Sequence, residues 1–130
     1  MTTYLSLDDL VVIAEMLGVP AIRDIGLIDA AAHRPRATAL GEDAYPDLDT
    51  KAAALLESLV RNHALVDGNK RLGWTAVVVF YRLNGHLIAA PEDDAYDVVI
   101  AVASGYAGLD VIGPALARWR RPAPRTRCQA

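Results

Sequence analysis

"NKRLGWTAVVVFYRLNG", residues 69–85, decides the fold class. By propensity, the Val, Phe and Tyr in its middle favour a β-strand. By length it favours a helix, since strands usually run about 5–6 residues. The helix reading covers 69–83, with Asn69 as N-cap and Gly85 as the C-terminal stop. Its "WTAVVVFY" portion is apolar nearly all round, which marks a central buried helix.

Working outward, helical periodicity recurs along the chain. Ser6 is placed to cap a helix over about 7–18, with Asp8 and Asp9 in the first turn and Gly18 and Pro20 at its end. "DIGLIDAAAH" predicts a helix over about 24–33. Residues 34–49, "RPRATALGEDAYPDLD", are rich in Pro, Gly and Asp and predict a loop or short hairpin, a flap, at about 34–46. Loops of this length in small domains are often functional. Further helices are expected over about 48–62, 92–104 and 108–119. The expected fold class is all-α, a compact bundle of about six helices around a central buried one.

Composition sets the outer limits. A chain of 130 residues suits one domain, here 1–122, followed by a basic C-terminal tail at 123–130. With 53% hydrophobic residues and a mean hydropathy of +0.20, the chain is too apolar to be disordered. No apolar run approaches the ~20 residues of a membrane span, and no secretory signal opens the chain. A single cysteine, Cys128, fits a reducing cytoplasm. His33, His63, His86 and Cys128 lack zinc-site spacing. A net charge of -3 gives no reason to expect direct nucleic-acid binding. "ARWRRPAPRTR", with five arginines in eleven residues, reads either as a solvated tail or as a patch for an acidic partner.

The chemistry concentrates in "HALVDGNKR", residues 63–71. Gly68 lets the chain turn or lets a ligand approach closely. The amides of 68–71 would face outward at the positive end of a helix, an arrangement suited to phosphate. Lys70 and Arg71 add two cations there. Asp67 offers an oxygen ligand for Mg²⁺ beside a bound polyphosphate. His63 is the nearby group able to take a proton near neutral pH. Singly, each residue also has an ordinary structural explanation: a helix-end His, an Asp-Gly turn, an N-cap Asn, two solvated cations. Together they imply transfer of a phosphate-containing group to a hydroxyl.

"HALVDGNKR" resembles the signature of the Fic/Doc family, His-x-Phe-x-Asp-Gly-Asn followed by two further residues. The spacing of His63, Asp67, Gly68 and Asn69 matches without a gap. Lys70–Arg71 resembles the Doc branch, toxins of bacterial toxin–antitoxin operons. Residues 34–63 and "FYRLNG" at 80–85 are similar to that branch as well. In the AMP-transferring Fic enzymes, Gly usually stands at the Lys70 position and a second Arg at that of Trp74. The sequence departs from the family at Leu65 (Phe), Ala64 (often Pro) and Leu72 (often Thr).

The resemblance implies a Fic-type helical fold and transfer of the γ-phosphate of ATP to a Thr of elongation factor Tu, which blocks translation. It implies that His63 deprotonates the target hydroxyl, and that Asp67 holds Mg²⁺ and orients His63. Gly68 and Asn69 would form the anion hole, Lys70 and Arg71 would bind the phosphates, and the flap would position the target. An inhibitory Ser/Thr-x-x-x-Glu motif is matched only by Thr38 to Glu42, within the flap, and reads as coincidence. Inhibition is then expected in trans, from a Phd-like antitoxin whose C-terminal segment folds on binding. The alternatives are an AMP-transferring Fic enzyme and a catalytically inactive antitoxin-binding domain.

Overall fold

A computed structural model describes residues 1–19 and 21–124. Six helices make up most of it: α1 Leu7–Met16, α2 Ile25–His33, α3 Leu48–Arg61, α4 Asn69–Leu83, α5 Glu92–Ala103 and α6 Leu109–Trp119. The all-α expectation holds, and residues 69–83 are a helix. No helix among the described residues is long and apolar enough to cross a membrane.

Side-chain caps set several of the starts. Ser6 and Asp9 form a reciprocal capping box on α1. Asp24 accepts from the amides of Gly26 and Leu27 at the start of α2. Asp47 accepts from Thr50 N at the start of α3. That hydrogen bond is the main reason the Asp47 carboxyl titrates below the ordinary range.

The hub of the bundle is α3, one element earlier than the sequence suggests. Nine of its 14 residues are buried, and it packs against α2, α4, α5 and α6. On α4, Val78 and Leu83 remain exposed. The reason is side-chain size: Ala52, Ala53 and Ala54 let neighbours close in on α3 from several sides. Gly73 of α4 sits where a Cβ would come within 2.7 Å of Val60 Cγ2 on α3. This close approach fixes the start of α4 relative to the end of α3.

Two short antiparallel sheets complete the fold. A 3-10 turn, Arg34–Arg36, leads into the hairpin β1 Thr38–Ala39 and β2 Glu42–Asp43, so the predicted flap is a short hairpin. The pair β3 His86–Ile88 and β4 Arg120–Pro122 has no counterpart in the sequence reading. It draws Arg120 and Arg121 of the basic stretch into the fold. Arg120 forms a two-pronged ion pair with Asp49 of α3, at 3.0 and 3.2 Å. The Tyr81 hydroxyl donates to the same carboxylate at 2.7 Å. Burial and this partner both push the Tyr81 pKa up. Residues 125–130, with Cys128 and most of the expected tail, lie outside the described residues.

Candidate active site

Between α3 and α4 the backbone is held by a template from the α1–α2 connection. Asn62 closes α3, its amide donating to Ser58 O. His63 then turns with φ 53°, a left-handed conformation that costs a non-glycine residue about 1–2 kcal/mol. The next residues run antiparallel to 21–24. Ala64 O accepts from the amides of Arg23 (2.7 Å) and Asp24 (3.0 Å), and Val66 N donates to Ala21 O (3.2 Å). Leu65 bridges to Ile22 and is 1% exposed, so its side chain anchors the loop in the core. The Arg23 guanidinium donates to the His63 carbonyl.

Asn69 locks the other end of the loop. Its carboxamide accepts from Leu65 N at 3.0 Å and donates to Leu65 O at 3.1 Å. This corrects its expected part as N-cap. The cap residue is Gly68, and the Asn69 side chain is engaged in closing the loop. Gly68 has φ 87°, and a Cβ there would lie 2.6 Å from Val19 Cγ1 and 3.4 Å from Arg71 Nη2. Only glycine fits between that wall and the folded-back Arg71. The Gly68 amide donates to Asp67 Oδ1 at 2.8 Å. The amides of Asn69, Lys70 and Arg71 precede the first turn-closing bond of α4, from Leu72 N to Gly68 O, and lie at its positive end.

A cavity of about 460 Å³ gathers His63, Asp67, Gly68, Asn69, Lys70 and Arg71, with Val60, Val66 and Ala103 as its apolar wall. All six residues singled out in the sequence therefore meet at one place. Lys70 and Arg71 enter no ion pair among the described residues. Asp67 makes no hydrogen bond to His63 among those residues; its Oδ1 is turned to Gly68. No cluster of three His, Cys, Asp or Glu that could cage a metal occurs among the described residues. One exposed carboxylate beside the amide-rich start of α4 does fit Mg²⁺, which is commonly held by one or two carboxylates plus substrate phosphates.

A second, apolar pocket of about 530 Å³ adjoins the first and shares Lys70 and Arg71 with it. Trp74, Val78, Ile88, Tyr96, Val99 and Ile100 line it. Trp74 stands edge-on to Trp119 with ring centroids 6.4 Å apart.

The flap hairpin is fastened by two cations that the sequence reading passed over. Arg34 donates to Glu57 (2.8 Å), Ser58 (3.0 Å) and Tyr45 Oη (3.0 Å). Burial disfavours its charge, but the hydrogen bonds to Tyr45 and Glu57 outweigh burial and raise its pKa. Lys51, 2% exposed, reaches from α3 to Asp43 at 3.1 Å and to the Tyr45 carbonyl. One signal for Lys51 was available: it shares the apolar register of Leu55 and Leu59 at helical spacing. Arg23 left no comparable periodic signal.

Comparison with known proteins agrees with this geometry. The family model described as "Fic/DOC family" matches residues 4–81. "Toxin Doc" of Mycolicibacterium smegmatis is 49% identical over 121 residues, which span 90% of this chain and 93% of that protein. The chain belongs to the Fic/DOC family.

Proposed function

We propose that this chain is the toxin of a toxin–antitoxin pair, of Doc type, and that it moves the γ-phosphate of ATP onto a protein hydroxyl. The observation that carries the chemistry is the meeting of His63, Asp67 and the Gly68–Arg71 turn in one cavity. The toxin reading rests on the family and on the extent of similarity to a protein named Toxin Doc.

The phosphates of ATP sit at the start of α4, where the amides of 69–71 and the cations of Lys70 and Arg71 meet them. The neighbouring apolar pocket, with Trp74 and Tyr96, takes the nucleoside. His63 accepts the proton of the target hydroxyl as that oxygen bonds to the γ-phosphorus. The bond from that phosphorus to the β–γ bridging oxygen breaks, and ADP leaves. Asp67 would hold Mg²⁺ together with phosphate oxygens, and the ion would supply positive charge against the phosphates. The hairpin at 38–43 presents the target segment, and elongation factor Tu is the target that the resemblance implies. A Phd-like antitoxin supplies inhibition in trans, in the cytoplasm.

The experiment is incubation of the chain with elongation factor Tu, Mg²⁺ and ATP labelled at either the γ- or the α-phosphate. Transfer of γ-label by wild type, abolished in His63→Ala, is the expected result. Transfer of α-label in its place would reassign the chain to AMP transfer.

A further inference from the structure

His63 is the base of the proposed reaction, and its backbone is the strained point of the loop, at φ 53°. A conformation of this kind persists only where the surroundings impose it. The backbone contacts that shape the loop all act beyond His63. Ala64 O receives the amides of Arg23 and Asp24, Val66 N goes to Ala21 O, and Leu65 is clasped by the Asn69 carboxamide. On the other side, α3 ends at Arg61 and its closing bond belongs to Asn62. The peptide plane joining His63 to Ala64 is left to a side chain. Among the described residues, the donor to the His63 carbonyl is the guanidinium of Arg23, 40 positions upstream.

Arg23 stands on a rigid base. Its own amide donates to Ala64 O at 2.7 Å. The next residue, Asp24, caps α2 with its carboxylate, at 3.0 Å to Gly26 N and 3.3 Å to Leu27 N. The start of α2 is therefore in register with the loop, and Arg23 bridges from that register to the residue before it. The direction of the His63 Cα–Cβ bond follows from the backbone angles on either side of its Cα, one of which sets the plane that Arg23 holds. Building on the phosphate-transfer reading, we propose that Arg23 is a positioning residue. It fixes the His63–Ala64 peptide and so aims the His63 imidazole into the cavity. A guanidinium suits this use because it stays charged and brings several donors in a planar fork.

The test uses the full chain with Arg23→Ala and, as the conservative variant, Arg23→Lys. Two readouts are taken: labelled phosphate transfer, and the backbone carbonyl and Cα NMR shifts of residues 62–66. In Arg23→Ala, kcat should fall about 10- to 100-fold with the KM for ATP nearly unchanged, because the phosphate turn is untouched. The His63 carbonyl and Cα shifts should move while those of Leu65 and Val66 stay. Arg23→Lys keeps the charge and one donor group, so its His63 shifts should lie between the two. Wild-type His63 shifts in Arg23→Ala, or wild-type kcat in that variant beside an active wild type, would overturn the proposal. Should Arg23→Ala fail to fold, displaced His63 shifts with a lowered kcat in a folded Arg23→Lys support it, and wild-type values of both in that variant overturn it. A wild-type chain that transfers no phosphate removes the phosphate-transfer reading, and the His63 shifts alone then decide for or against Arg23.

Discussion

Before α3, the hairpin at 38–43 is fastened by side chains: Arg34 on Glu57, Ser58 and Tyr45, and Lys51 on Asp43 and Tyr45. After α3, the loop at 63–68 is fastened mostly by main chain, through residues 21–24, with the Asn69 carboxamide and the Arg23 guanidinium as its side-chain ties. Both segments are short, irregular and rich in polar residues. They differ in what their cations are left free to do. Arg34 and Lys51 are committed to partners within the protein. Lys70 and Arg71 face a cavity with no ion pair among the described residues, because backbone bonds already hold their loop. A cation that shapes the fold is neutralised by doing so; one that binds a ligand must be spared that work.

That contrast can be broken from either side. The largest expected effect is on rate. His63→Ala removes the base and should slow phosphate transfer by about 100- to 10,000-fold while leaving the melting temperature near wild type. Gly68→Ala attacks the loop backbone itself. Its Cβ meets Val19 at 2.6 Å in a left-handed conformation, so a stability loss of about 2–3 kcal/mol in urea denaturation is expected, together with loss of ATP binding. Lys51→Met should show the reverse pattern. Removing a buried donor leaves the Tyr45 carbonyl unmatched and costs about 1–3 kcal/mol, with faster proteolysis of the hairpin and ATP affinity unchanged.

The smallest effect sharpens the account of α3. Asp47 caps that helix and its carboxyl is held below the ordinary range by Thr50. A lowered folded-state pKa contributes stability above the unfolded value, near pH 4, and loses it as pH falls through the folded value. Asp47→Ala should therefore cost about 1 kcal/mol at pH 7, and the gap from wild type should close as denaturation curves are taken to lower pH.

The helices were legible because their signals are local. Apolar spacing, the Ser6 cap, the acidic first turn of α1 and Gly85 sit within a few residues of the ends they set. The central position of α3 was less legible, since it depends on how closely small residues admit neighbours, which periodicity does not report. The strands β3 and β4 have three residues each and pair across more than 30 positions, too short for a pattern to emerge. At the site, the six residues of the motif were legible as a set because they are adjacent in the chain. The hydrogen-bond partners of two of them were not. Asn69 turns back to Leu65, and Asp67 turns to Gly68 rather than to His63, choices made by the three-dimensional path of the loop. Arg23 acts through a contact 40 residues away, beyond any local reading.

The most direct test of the central contrast is the dissociation constant of Mg²⁺-ATP, measured by calorimetry for wild type, Lys70→Met and Arg71→Met, with thermal melts of the same samples. Removing either free cation is expected to weaken binding by about tenfold or more while the melting temperature stays near wild type. Unchanged ATP affinity in both variants, or a melting temperature lowered as far as that of Lys51→Met, would contradict it.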